Sequence, residues 1–530
     1  MPVRAGRRYP WSRARRPGVH DARRRMRSEV TAKPSSTRGT TVAVPDVAPP
    51  LQLVRALCDA LEEQAVAYCH FKSNNEIARS AAGLNDLDLL VAASEASRFE
   101  ELVSRLGFRR ARPRPSLRVP GVEHWYGLDS GTGRLAHLHV HLRLVVGDDM
   151  TKNYRLPIER PYLASTTHDG LFRIPSPEFE LVLFVVRMVL KHGPWDVGIG
   201  SRSALSDRER DELGSLLGRI DPGDLRNVLA TSVPMMNEAL WEACIRVLKA
   251  DASPASRIRT AYELQRCLAP FARRPQLVDS ALKLWRRRAR RLRKRLVGEP
   301  GKVLDRGGII AIVGGDGAGK TSAVDDLHRW LRPFRTRRVH MGKPARSATT
   351  IAVRGALRAY RLTGLGRGTR GGAPTISTGG GGFPGYVWLL PQVLLARDRY
   401  RLSRSARRFA DRPGIVISDR FPLPWVEKMD GSRASRFLAA PQVSPLARWL
   451  AQRERLYYDS ILPPDLLIVL RVRPEVAVDR KRDEEPSDVR DRNAEIWQAD
   501  WEGSHAHVLD ASRPKDLVLS ELKRTIWSSL

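Results

Sequence analysis

The chain has 530 residues, too many for one compact core, and its 42% hydrophobic content is ordinary for globular domains, so two or three domains are expected. Its 91 lysines and arginines against 58 acids leave a net charge of +33, which favours polyanion partners: nucleotides, nucleic acid or an anionic membrane surface. The four cysteines (Cys58, Cys69, Cys244, Cys267) are scattered and fit neither a disulfide framework nor a cysteine-based zinc site, no apolar run reaches membrane-spanning length, and a reducing cytoplasm is the expected compartment.

Residues 1–48 are rich in Arg, Pro, Ser and Thr and lack apolar periodicity, as a disordered basic arm would; without an apolar segment they do not read as a secretory signal. Periodic sequence begins at "LQLVRALCDALEEQ", a helix with one apolar face. Strand-like "VAYCHFK", "DLDLLVA" and "HLHVHLRLVV" follow. Next comes "PSPEFELVLFVVRMVLKHG", which starts as a helix should: Ser176 as cap, Pro177 in the first turn, Glu178 and Glu180 beside the positive end of the dipole. These elements make up an expected first domain over 49–204. Residues 205–300 read as a helical connector whose last helix, near 284–296, carries an intense basic face. That helix is either a solvated interdomain element or, through Trp285 and its leucines, a contact for an anionic surface.

From 301 to 530 strand and helix alternate, which predicts a parallel α/β sheet. Its opening, "GGIIAIVGGDGAGKTSAVDDL", is a buried strand, a glycine loop and a helix. Gly314, Gly319, Lys320 and Thr321 match the G-x-x-x-x-G-K-[ST] pattern. Backbone N–H groups of Gly314, Gly315, Asp316, Gly317, Ala318 and Gly319, with Lys320, Thr321 and Ser322, would wrap the phosphates of ATP. Lys320 would reach the β- and γ-phosphates and the Thr321 hydroxyl would bind Mg²⁺. The Gly-rich 363–385 segment reads as a surface loop. Asp398 and Arg399 fall on a helix where an acceptor phosphate could be clamped. "GIVISDRF" is a buried strand ending in Asp419, a candidate for the Mg²⁺ shell, and Arg420, a candidate phosphate contact. Arg480, Arg482, Arg490 and Arg492 then fill a loop spaced to close over a transferring phosphoryl group.

Together, "GGDGAGKT", "ARDRY", "SDRF", "PDLLIVLRVRPEVAVDRKR" and "HVLDASRPKDLVLSEL" resemble the thymidylate kinase family over roughly 305–530. The resemblance implies ATP and Mg²⁺ at Gly314–Ser322 and acceptor contacts at Asp398, Arg399 and Arg420. It also implies catalytic roles for Lys320, Asp419, Arg480, Arg482 and Arg490, and allows a homodimer. One departure bears on the acceptor: where the family carries an Arg-Glu-Pro stretch, this chain has Gly342-Lys343-Pro344.

In the first domain, Asp86 and Asp88 stand two residues apart at the start of a strand, so both project to one face and can share Mg²⁺ ions. With Lys72-Ser73 upstream, this resembles the nucleotidyltransferase superfamily over roughly 50–200. The resemblance implies a third acid on a later strand, and His139 stands where that acid is expected. His137, His139 and His141 alternate along one face, as metal ligands or as satisfied polar groups beside a pocket. The expected activity is transfer of the ATP γ-phosphoryl to a nucleoside monophosphate, dTMP first, or a similar phosphorylated acceptor. The alternatives are an ATP-binding regulator or scaffold that has lost transfer, and a basic nucleic-acid-binding protein, although no nucleic-acid motif accompanies the charge.

Overall fold

The computed structural model describes residues 48–192, 205–249, 252–296, 301–362, 385–423, 431–434, 443–482 and 484–530. The basic arm, the 363–384 stretch of the Gly-rich segment and the side chain of Arg492 lie outside them. The fold is mixed α/β, with one mixed and one parallel sheet among many helices.

The first sheet has six strands in the order β1-β2-β5-β4-β3-β10. Here β1 is Tyr68–His70, β2 Leu87–Val91, β3 Arg109–Arg112, β4 Val122–Leu128, β5 Leu135–His141 and β10 Val303–Leu304. Two short ribbons lie between them, β6 (Val145–Val146) with β7 (Tyr154–Arg155) and β8 (Thr167–Asp169) with β9 (Phe172–Ile174). Strand β5 shows why a period of two matters. Ala136, Leu138 and Val140 are buried in a core with Leu87, Leu89 and Phe99, which commits the alternate positions, His137, His139 and His141, to the opposite face. Helices Gln52–Glu63 and Ala96–Arg105 cover the apolar face.

Helix Pro177–Lys191 follows, with Ser176 at the N-cap position but making no side-chain cap bond. Its glutamates are used differently from the helix-dipole expectation: both are buried, Glu180 accepts from Asn74 Nδ2 at 2.8 Å, and Glu178 accepts from the Asp221 N–H at 3.2 Å. The helix is buried almost all round because the helices over Asp207–Cys267 pack against it as one core. This is why its sequence is apolar on every face without crossing a bilayer. Among the described residues, no helix is long and apolar enough to cross a membrane.

The second sheet has five strands in the order β12-β13-β11-β14-β15, with every pairing parallel. Its members are β11 (Gly308–Gly314), β12 (Thr336–His340), β13 (Ile415–Asp419), β14 (Leu466–Arg471) and β15 (His507–Asp510). Strand β11 is buried along its whole length, Ile310 and Ile312 in one core and Ile309, Ala311 and Val313 in another, so it reads as a continuous apolar run.

The two halves are joined through structure rather than a bare linker. Strand β10, at 303–304, pairs antiparallel with β3 of the first sheet, and Ala111 and Tyr126 share a core with Ile310, Leu522 and Trp527. The C-terminal helix Lys515–Ser529 completes the junction: Trp527 Nε1 donates to the Gly107 carbonyl at 3.1 Å and Arg109 Nε donates to the Trp527 carbonyl at 3.1 Å.

Candidate functional site

The loop after β11 leads straight into helix Lys320–Trp330. Gly317 and Gly319 take φ of +73° and +78°, a region that costs other L-residues strain, and this lets the loop curl into a nest of N–H groups at a helix N-terminus. Lys320 is buried, and its Nζ donates to the Gly315 carbonyl at 2.5 Å, so the ammonium lies over the loop. Thr321 and Ser322 are exposed in the first turn of the helix.

Helix Pro486–Gln498 rests on this loop through a residue the sequence patterns did not single out. Asn493 is buried, and its Nδ2 donates to the Asp316 carbonyl at 3.1 Å. A Cβ at Gly315 would lie 1.8 Å from Asn493 Oδ1, so only glycine lets the two approach. Gly315→Ala is therefore expected to eject Asn493 and weaken ATP binding by up to about tenfold, the size of one lost neutral hydrogen bond. Adding Asn493→Ala should recover part of that loss; calorimetric titration with ATP reads both variants.

Of the predicted lid arginines, Arg480 reaches the loop, donating from Nη1 to the Gly317 carbonyl at 3.3 Å and the Ala511 carbonyl at 3.0 Å. Arg482 is exposed and donates to the Asp479 carbonyl at 3.3 Å, and Arg490 is exposed on helix Pro486–Gln498.

Asp419 ends β13 in register with Ile312 of β11, one strand from the loop, and is buried with Arg338 Nη2 at 3.5 Å from its Oδ2. Arg420 follows with φ of +66°, a conformation that costs a non-glycine residue about 1–3 kcal/mol and persists only where its surroundings enforce it. They do: its N–H donates to the Ile312 carbonyl at 3.1 Å, and its own carbonyl accepts from Ser418 Oγ at 2.8 Å.

Beside this edge, a cleft of about 240 Å³ opens between the segment after β12 and helix Tyr386–Ala410. It is lined by Gly342, Lys343, Arg346, Thr350, Arg354 and Asp398. Asp398 is buried and accepts from Thr350 Oγ1 at 2.7 Å, while its Oδ1 has no hydrogen-bond partner among the described residues. Arg399 is placed differently from the expected clamp. It is buried, donating to the Met341 carbonyl at 2.9 Å and the Gly342 carbonyl at 3.2 Å, and so braces the backbone of the cleft. The positive groups that do line the cleft are Lys343, Arg346 and Arg354.

In the first sheet, β2 and β5 run parallel with Asp88 opposite His139. Asp88 Oδ1 lies 2.7 Å from Lys72 Nζ and 2.8 Å from His139 Nδ1. Burial would raise the Asp88 carboxyl, but Lys72 and His139 outweigh it and hold it well below the usual range. Asp86 is paired separately, at 2.7 Å from His137 Nδ1. Strand β4 supplies two residues that the sequence reading missed. His124 Nδ1 lies 3.1 Å from His137 Nε2 and its ring stacks on His139 at 4.9 Å, while Tyr126 stacks on His137 at 4.2 Å. The signal that could have found them is the alternation in "VEHWYGL" beside the histidine strand. His141 is buried, which pushes its ring well toward the neutral form.

No sequence-family model matches the chain. A curated protein of Escherichia coli strain K12, described as the uncharacterized ATP-binding protein YghR, is 25% identical over 228 residues, covering 41% of this chain and 86% of that protein. Its counterpart in Escherichia coli O6:H1 strain CFT073 matches to the same extent.

Proposed function

We propose that the C-terminal half binds ATP at Gly314–Ser322 and transfers its γ-phosphoryl to a small phosphorylated acceptor seated in the Lys343–Arg354–Asp398 cleft, a nucleoside monophosphate with dTMP as the first to try. The supporting observation is an arrangement: the glycine loop, Asp419 and the basic cleft all lie beyond the C-terminal ends of β11, β13 and β12, at one edge of a parallel sheet. The likeness to an ATP-binding protein supports ATP as the donor.

In the proposed reaction an acceptor phosphate oxygen attacks the γ-phosphorus, the bond from that phosphorus to the β,γ-bridging oxygen breaks, and ADP leaves with the electron pair. Little covalent work falls to the protein, so its residues position groups and neutralise charge. Lys320 turns from the Gly315 carbonyl to the phosphates, and Arg480, already on the loop, adds a second cation from the lid side. Thr321, exposed in the first helical turn, and Asp419, one strand away, fit an octahedral oxygen-liganding ion and would hold Mg²⁺ directly or through water. When bound, that ion supplies charge neutralisation on the phosphate oxygens. Lys343, Arg346 and Arg354 orient the acceptor's anionic group.

This division of labour is tested by Arg354→Ala in a coupled assay of ADP release across a nucleoside monophosphate panel. Arg354 is exposed on helix Ala348–Leu362, so the fold should tolerate its loss. Acceptor KM is expected to rise about tenfold or more, in line with one lost charged hydrogen bond, with the KM for ATP unchanged. A rise in the KM for ATP instead would place the acceptor elsewhere.

A further inference from the structure

We propose that Asp88, His139 and His141 form a binding site for one borderline divalent transition ion, Zn²⁺ or a close chemical relative, rather than half of a paired Mg²⁺ site shared with Asp86. The site belongs to the first sheet and does not depend on the phosphoryl-transfer reading of the C-terminal half.

Parallel pairing sets Asp88 directly opposite His139, and the period of two brings His141 to the same face. One potential ligand atom from each of the three residues lies within 4.8 Å of those of the other two. Ligands about 2.0–2.2 Å from a tetrahedral ion stand about 3.4 Å from one another, so side-chain adjustments on the order of 1 Å would close the set. Two imidazoles and one carboxylate suit Zn²⁺ or Co²⁺, whereas Mg²⁺ prefers an all-oxygen octahedron.

His141 supplies an independent observation. It is 5% exposed, sits on β5 beside the His139 ring at 4.6 Å, and neither of its ring nitrogens has a hydrogen-bond partner among the described residues. A buried polar group left unpaired is costly, and a metal–nitrogen bond would remove that cost. The neighbouring residues define the limits of the set. His137 has both nitrogens engaged, one by Asp86 and the other by His124, which excludes His137 and ties up Asp86. His124 stacks parallel on His139, at an interplanar angle of 3°, and fixes that ring's orientation. Three protein ligands leave a fourth position for water or an anionic ligand.

Lys72 works against the ion. Its ammonium is 2.7 Å from Asp88 Oδ1 and has to swing away before a cation can take that oxygen. Removing it should therefore improve binding, which a purely structural histidine cluster would not do.

The test is a titration of the full, metal-stripped chain without a histidine tag, using Co²⁺ absorption in the visible range and competition by Zn²⁺. The expected result is one ion per chain, bound at least tenfold more weakly by His141→Ala, which loses a ligand, and about tenfold more tightly by Lys72→Met, which keeps every ligand and removes a competing positive charge. Circular dichroism of each variant establishes that it is folded. Absence of stoichiometric binding by the unmodified chain would overturn the proposal, as would unchanged affinity in folded His141→Ala. Unchanged or weaker affinity in Lys72→Met would also overturn it, even if His141→Ala failed to fold.

Discussion

Replacing Lys320 by alanine is expected to lower ATP-dependent phosphoryl transfer by about 10²–10³-fold, the range lost when one preorganised charge-stabilising donor is removed. Lys320 begins helix Lys320–Trp330, and its ammonium donates to the Gly315 carbonyl. The residues that anchor the helix are Ala323, Val324 and Leu327, all buried and none in need of the lysine. Alanine is also the best helix former, so the backbone has no reason to change. The expected signature is a near-complete loss of turnover with an unaltered circular dichroism melt. Turnover within a few-fold of the unmodified chain would remove Lys320 from the reaction.

Trp527→Ala carries the largest expected effect on stability, a loss of about 3–5 kcal/mol in urea denaturation. Trp527 is 6% exposed and meets Trp330 edge-on at 6.1 Å, Phe334 at 6.0 Å and the Arg109 guanidinium at 5.9 Å. It also contributes its Nε1 hydrogen bond to the Gly107 carbonyl. Because these partners come from both halves, the variant should loosen the junction and not merely one domain. Trp527→Phe, which keeps one aromatic ring but loses the pyrrole ring and its hydrogen bond, should cost less, about 1–3 kcal/mol. Equal losses in the two variants would show that the indole's pyrrole edge, with its hydrogen bond to the Gly107 carbonyl, holds the junction.

What could be read from sequence follows from how far each interaction reaches along the chain. Strands β11, β13 and β14 were visible because a strand buried on both faces is a bare apolar run, and the glycine loop was visible because its geometry is local. The parallel sheet was therefore expected, and it is present. The partners of the site residues were not visible. Asn493 meets Asp316 across 177 positions, and nothing around it in "DVRDRNAEIW" marks it as a seat for the loop. Arg399 sits in a motif that suggests a phosphate clamp, yet it donates to the Tyr458 hydroxyl and to carbonyls 57 and 58 positions away. The histidine face of β5 could be deduced from alternation alone. That it faces Asp86 and Asp88 depends on β2 and β5 running parallel, and that His124 and Tyr126 stack on it depends on β4 pairing alongside. Pairing register is a non-local choice that no short window of sequence contains. The same holds for β10, two residues whose role as an edge strand of the first sheet exists only once both halves are folded.

Whether the glycine loop serves transfer and not binding alone is decided by following ADP release from ATP by the full chain with and without an acceptor. Release is expected to rise well above the acceptor-free rate for at least one nucleoside monophosphate, and the label of γ-labelled ATP to appear on that acceptor. Binding of ATP with no acceptor-dependent release across the panel would contradict it, leaving a protein that senses the nucleotide without spending it.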